Sequence, residues 1–193
     1  MDIEFGREAV RAARQAAEAE TEGRAENPVF SEGFKELSGA FVTISKYPSG
    51  DLRGCIGYPE PVLPLGQAII SAARSACHDP RFPSLTLKEA ENCVFEVTVL
   101  TSPEKINFSS PDDLLNKIEI GRDGLILSYK GRRGLLLPQV PVEWEWSKET
   151  YLEQLSAKAR LPMDIWKKEG VTIENFQGEI FAEKSPKGEV VRK

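Results

Sequence analysis

Apolar positions along the chain change period several times, and those changes divide it into elements. Ile3, Val10, Ala13 and Ala17 fall on one face of a helix spanning residues 3 to 19, an alanine-rich run without proline. Thr21 to Pro28 is a polar linker carrying Gly23 and Asn27. The period then shortens to two. Gly39 to Lys46 reads as a strand, Tyr47-Pro-Ser-Gly-Asp51 as a turn, and Leu52-Arg-Gly-Cys-Ile-Gly57 as the returning strand of a hairpin. With Ser49 and Gly50 as a two-residue loop, Ile44 sits opposite Cys55, Val42 opposite Gly57 and Lys46 opposite Arg53. Helical spacing returns after Pro64, with Leu65, Ile69, Ala72, Ala73 and Ala76 apolar up to His78.

Asp79-Pro-Arg-Phe-Pro83 must leave that helix, because each proline drives its predecessor out of the helical region. A helical turn over Leu87 to Glu91 precedes a strand, Cys93 to Leu100, with Cys93, Phe95, Val97 and Val99 on one face and Glu96 on the other. Pro111 to Lys117 reads as a short helix. Two Gly-x-x-Gly units, Gly121 to Gly124 and Gly131 to Gly134, bracket a strand from Leu125 to Lys130 and read as hairpin turns. A third strand runs from Leu135 to Val140, and Ser147 caps a helix to about Arg160 with Leu152, Leu155 and Ala159 inward. Val171 to Glu183 reads as one closing strand. Strands and helices mixed irregularly, with several hairpins, predict an α+β fold with mainly antiparallel sheet and flanking helices.

Composition narrows the function classes. The 193 residues carry 25 basic and 30 acidic side chains, and a formal charge of −5 opposes general binding to phosphate backbones. Length and a 40% hydrophobic content allow one large domain or two small lobes. No apolar run has the length of a membrane span, and residues 1 to 20 lack the apolar centre of a signal peptide, so a cytoplasmic protein is expected. Cys55, Cys77 and Cys93 lie far apart, which predicts neither a disulfide framework nor a Cys-x-x-Cys metal site. With His78 as the single histidine, no zinc site and no other cofactor is expected.

The chemistry-bearing residues gather around Cys55. Strand alternation puts Arg53, Cys55 and Gly57 on one face, and glycines inside a strand imply that something approaches closely. A thiol two residues from Arg53 is a candidate nucleophile or covalent anchor, and a small buried hydrophobe is the plainer use of a cysteine. Glu96 on its strand face needs a partner. Asp79, Arg81 and Glu96 are candidates for a charge network, with Arg81 pairing either carboxylate or an anionic ligand. Helix capping is the simpler role for His78. Lys117, Arg122, Lys130, Arg132 and Arg133 form the one locally basic segment, a candidate for RNA recognition that the acidic balance disfavours. Trp144 and Trp146 alternate with glutamates and are expected to bury one shared face.

Taken in order, Leu52 to Gly57, Asp79 to Phe82, Glu96-Val-Thr-Val-Leu100 and Gly134-Leu-Leu-Leu-Pro-Gln-Val140 leading to Trp146 resemble the AMMECR-one-like domain family over nearly the whole chain. The resemblance implies a cytosolic α+β domain of two interleaved lobes, with a cleft beside the Arg-Gly-Cys-Ile-Gly strand. It implies a link to a dioxygenase-like partner called Memo and to a radical S-adenosylmethionine protein, and it assigns no reaction. Carried onto this sequence, the site is Arg53, Gly54, Cys55 and Gly57, with Asp79, Arg81, Glu96, Gln139 and Glu143 nearby. Arg53 would lower the thiol's pKa, and Glu96 or Glu143 would serve as general base. A small anionic or nucleotide-like ligand is expected, with a non-catalytic binding or adaptor domain as the alternative. One stretch departs from the pattern: where Cys-x-Lys-Ala-Gly-Leu is expected, the chain has Ser156-Ala-Lys-Ala-Arg-Leu161.

Overall fold

A computed structural model describes residues 1–25 and 27–193, so Glu26, within the expected linker, lies outside the described residues. In chain order the elements are α1 (Ile3–Thr21), β1 (Ala40–Lys46), β2 (Leu52–Tyr58), α2 (Leu65–Cys77), α3 (Leu87–Ala90), β3 (Cys93–Leu100), β4 (Glu104–Lys105) and α4 (Pro111–Lys117). They continue with β5 (Gly124–Tyr129), β6 (Arg132–Leu136), α5 (Val140–Glu143), α6 (Lys148–Lys158), β7 (Thr172–Phe176), β8 (Gly178–Glu183) and β9 (Val190–Arg192). The fold is α+β with two antiparallel sheets, as the mixed periodicity predicts. Two compact units divide the chain, the first made of Met1–Leu100 and Glu179–Lys193 and the second of Thr101–Gly178.

In the first unit a five-stranded sheet of order β2-β1-β3-β8-β9 packs one face against α1 and α2. α1 starts at Asp2, whose carboxylate accepts the Phe5 N–H at 2.9 Å. It buries Ala9, Val10, Ala13, Ala16 and Ala17 against the small face of α2, whereas Ile3, expected on that face, is exposed near the helix start. Alternate strand residues Val42, Ile44, Phe95 and Val97 complete this core. Inside it lies an ion pair that periodicity does not reveal. Arg14 donates from Nε and Nη2 to Glu183 at 2.7 and 2.5 Å and also holds the carbonyls of Ala90 and Cys93, so every buried polar atom of the pair has work.

The second unit has a four-stranded sheet of order β4-β7-β5-β6 with α6 packed on it through Tyr151, Leu152 and Leu155. Only one of the two Gly-x-x-Gly units sits at a hairpin: Tyr129 pairs with Arg132, with Lys130 and Gly131 at positive φ. The Gly121–Gly124 stretch instead leads from α4 into β5, so it joins a helix to a strand. β6 ends at Leu136, short of the expected Val140, where Pro138 removes a ladder donor. The expected closing strand is two strands. β7 lies in the second unit's sheet and β8 in the first unit's, and Gln177 between them exchanges hydrogen bonds with Thr101. Period-two patterning continues across that junction, which is why the sequence shows no break.

The hairpin register also differs from the expected one. Tyr47 to Gly50 form a four-residue loop closed by Lys46 and Asp51, with Gly50 at φ +77°. Ser45 then faces Leu52, Ile44 faces Gly54 and Thr43 faces Cys55, which leaves Arg53 as the extra residue of a bulge. Lys46 therefore does not sit opposite Arg53.

Candidate functional site

β2 is an edge strand, so the main-chain groups of Cys55 that do not face β1 need partners from elsewhere. The segment leaving α2 supplies them. Asp79 Oδ2 accepts the Cys55 N–H at 2.9 Å, and Arg81 Nη2 donates to the Cys55 carbonyl at 3.4 Å. The two side chains are themselves paired, with Arg81 Nε and Nη2 on the Asp79 carboxylate at 3.0 and 2.7 Å. Asp79 is 1% exposed and Arg81 55%. The Arg81 hydrogen bonds, helped by the Cys55 N–H, hold the Asp79 carboxyl far below the usual carboxylate range against the opposing pull of burial. Arg81 thus pairs with Asp79 and not with Glu96.

Gly54 explains how α2 comes so near, and Gly57 makes room for a β1 side chain. A Cβ on Gly54 would lie 2.3 Å from the carbonyl oxygen of Ala76, and one on Gly57 would lie 2.2 Å from the Phe41 ring. The close approach that glycines in a strand imply is made at both positions by the chain itself.

Arg53 and Cys55 do not share a face, because the bulge breaks the alternation. Arg53, 5% exposed, runs to α3: its Nε and Nη2 each reach Glu89 at 3.2 Å, and Nη2 also reaches the Ser84 carbonyl. Glu89 is the third residue of a capping box with Thr86, which fixes its carboxylate. The Arg53 hydrogen bonds, then the Thr86 N–H, lower the Glu89 pKa to about 2. Glu89 was missed in the sequence, though Thr86-Leu-Lys-Glu89 is a capping-box signature that marks its carboxylate as placed.

The Cys55 thiol itself faces β1. Thr43 Oγ1 donates to Sγ at 3.3 Å, and Thr43 also stands opposite Glu96 of β3. Cys55, Thr43 and Glu96 therefore form a row across three strands on the sheet face away from the buried Val42 and Ile44. Glu96 accepts from Lys193 Nζ at 2.6 Å, which supplies its expected partner. Two strand spacings separate Glu96 from Cys55, about 10 Å, so proton transfer between them has to pass through Thr43 or a ligand. Thr43 was missed because the assumed register put Ile44 in its place.

The other candidates lie elsewhere. His78 follows the last residue of α2 and its ring contacts Ser84 and Glu20, at 3.2 and 3.0 Å. Cys77 and Cys93 are buried, and burial pushes the Cys77 thiol up to about 12 and the Cys93 thiol upward. Gln139 and Glu143 belong to the second unit, where both are exposed and the Glu143 N–H bonds the Gln139 carbonyl. Trp144 stacks on Trp146 at 6.4 Å between centroids but is 68% exposed, contrary to the expected burial. The basic turn residues are engaged within the chain: Arg122 with Asp123 and Glu119, Arg132 with the Arg160 carbonyl, and Arg133 with Glu174. Among the described residues no group of three or more His, Cys, Asp or Glu side chains could hold a metal ion, and no helix is long and apolar enough to cross a membrane.

The chain is thus a two-unit α+β protein in which an edge-strand cysteine is fixed through its main chain by an Asp-Pro-Arg segment. The chain belongs to the AMMECR1 family, whose model matches residues 6–181. Protein MJ0810 of Methanocaldococcus jannaschii is 49% identical over 195 residues, covering 100% of this chain and 97% of that protein. Protein Ta0236 of Thermoplasma acidophilum is 43% identical over 195 residues, covering 100% and 94%. The crystal structure of the uncharacterized protein PH0010 from Pyrococcus horikoshii matches with a TM-score of 0.79 at 44% identity, over 98% of this chain and 97% of that one.

Proposed function

We propose that the chain is an enzyme or enzyme component whose reactive group is the Cys55 thiol, acting on a small anionic ligand held by Arg81. The observation that carries this reading is the treatment of Cys55. Its peptide is fixed by two side chains while Sγ, half-buried, receives the Thr43 hydroxyl, an arrangement that positions a thiol more tightly than packing needs. Arg81 replaces Arg53 as the neighbouring cation, because Arg81 bonds the Cys55 carbonyl whereas the bulge turns Arg53 away to Glu89 and Ser84. Nη1 of Arg81 makes no hydrogen bond among the described residues, and a ligand anion completes it. Glu96 acts on the ligand, not directly on the thiol. Gln139 and Glu143, which the family resemblance alone singles out, belong to the second unit and carry no step of this reading. The remaining chemistry falls to Memo-like and radical S-adenosylmethionine partners, in the cytoplasm.

A non-catalytic binding or adaptor domain is the second reading, favoured by the internal neutralisation of both arginines. Alkylation separates the two. At pH 7 the enzyme reading expects Cys55 to react faster than N-acetylcysteine, and to prefer iodoacetate over iodoacetamide more than the free thiol does. Arg81→Gln should remove that preference. A Cys55 slower than the free thiol, with no charge preference, leaves only the adaptor reading.

A further inference from the structure

On the far side of Arg53 lies a pocket of about 330 Å³ that the Cys55 site does not use. It is formed by the β1–β2 turn, by α3 and by the start of β3, with Lys46 and Tyr47 on one wall and Thr86, Lys88 and Asn92 on the other. Its volume is in the range of small-molecule sites.

Charge distinguishes it from an ordinary surface hollow. Lys46, Lys88 and Arg53 line it against a single carboxylate, Glu89, on a chain whose formal charge is −5. Lys46 and Lys88 make no ion pair among the described residues. Arg53 spends Nε and Nη2 on Glu89 and Ser84 and leaves Nη1 without a hydrogen bond. That guanidinium is buried and held along its Nε–Nη2 edge, so it is pre-organised in a way the exposed lysines are not. Concave walls carrying one sign of charge concentrate the opposite sign. Beside Thr86 and Asn92, the rest of the lining is apolar in character: the exposed Tyr47 ring, the buried Cys93 and the alkyl stems of the lysines.

We propose that this pocket is a second ligand site, for a small organic anion that carries its charge on a flat apolar body. The anionic group meets Lys46, Lys88 and Arg53 Nη1, and the body lies on Tyr47. The site is independent of the thiol chemistry read at Cys55. Phosphomonoester and carboxylate share the recognising chemistry, so both serve as probes.

The test is a titration of isotope-labelled protein with phenyl phosphate, phenylacetate and inorganic phosphate, following backbone amide shifts. Saturable shifts are expected at Tyr47, Lys88 and Asn92 with phenyl phosphate or phenylacetate, the tighter of the two naming the headgroup. The exposed double variant Lys46→Ala/Lys88→Ala should bind at least about tenfold more weakly. Cys55→Ala should bind as the parent does, so that failure at Cys55 and failure here are told apart. No saturation up to roughly 10 mM, a millimolar affinity being the floor for so small a probe, overturns the proposal. So do equal binding of inorganic phosphate, an unaffected double variant, or loss of binding on Cys55→Ala.

Discussion

Each unit contains a buried aspartate gripped by a half-exposed arginine, and the two corners do different things. In the first, Asp79 accepts from Arg81 and from the N–H of Cys55. In the second, Asp123, 0% exposed, accepts from Arg122 Nε and Nη2 at 2.9 and 2.8 Å, and from the N–H of Glu119 at 2.8 Å. Gln177 adds a longer bond to Asp123, and Tyr151 donates to its carbonyl. Both carboxyls lie below their ordinary range. At Asp123 burial is the largest single influence and raises it, but Arg122, the Glu119 N–H and Gln177 together outweigh it, whereas at Asp79 the Arg81 hydrogen bonds lead over burial. A perturbed, buried Asp–Arg pair is therefore a structural device in this chain and does not by itself mark a site. What sets the first corner apart is the residue it fixes: at Asp123 the clamp closes a turn into β5, at Asp79 it immobilises a cysteine.

The largest expected effects test the shared part of that comparison. Asp79→Ala and Asp123→Ala should each destabilise by about 3 kcal/mol, the low end for a broken buried pair because the arginines can rehydrate. Urea unfolding at constant m-value reads this, and a loss well under 1 kcal/mol at either site breaks the parallel. Reactivity reads the difference: Asp79→Ala should change the alkylation rate of Cys55, and Asp123→Ala should not. The same carboxyls make stability fall in acid. Their folded pKa values lie below the unfolded ones, so the stabilisation is complete above about pH 5 and is lost as pH drops through the folded values. For Glu89 that window runs from the ordinary 4.5 down to about 2. Asp79→Asn/Asp123→Asn should flatten the acid limb of stability against pH.

Smaller effects come from backbone positions. Gly54→Ala puts a methyl group into the carbonyl of Ala76 and should cost about 2–3 kcal/mol. Gly131→Ala in the second unit meets no atom within 4 Å but holds φ +78°, and should cost about 1 kcal/mol. Equal losses would mean that α2 can shift and that its approach to Cys55 is not tight. The departure at Ser156-Ala-Lys-Ala-Arg-Leu161 has a structural reading too. Arg160 sits at φ +57° just past α6, and the N–H groups of Arg160 and Leu161 return to Ala157 and Ser156, a helix end that favours glycine. Arg160→Gly should stabilise by about 1 kcal/mol in thermal unfolding. Ser156, where a thiol is expected, is buried and donates to the Leu152 carbonyl, so it needs no further partner.

Most helices and the strands β1, β2 and β3 were legible because one face of each is apolar at a clear period. The glycines at 54 and 57 correctly signalled a close approach, but not whose. The register was not legible: a four-residue loop and a bulge at Arg53 each shift the pairing, and neither changes the apolar alternation enough to be seen. The bulge moved Arg53 off the face of Cys55, and the net one-residue slip in pairing hid Thr43. The junction at Gln177 was equally hidden, since both strands around it carry the same period. Arg14 was not singled out in the sequence, because its partner Glu183 lies 169 residues away.

The smallest effect is the most informative about Cys55. Thr43→Val keeps shape and β-propensity while removing the hydroxyl that donates to Sγ, so the fold should hold to within about 1 kcal/mol. A donor to sulfur stabilises the thiolate more than the thiol. The enzyme reading therefore expects the Thr43→Val protein to alkylate Cys55 several-fold more slowly at pH 7, with Thr43→Ser restoring the rate. Cys77, buried and pushed up to about 12, serves as the unreactive control within the same molecule. If Thr43→Val leaves the rate unchanged while Asp79→Ala alters it, the Asp79–Arg81 clamp governs the thiol and Thr43 is a packing neighbour. If neither substitution moves it, the two aspartate corners are equivalent after all, and Cys55 is held in place for its size.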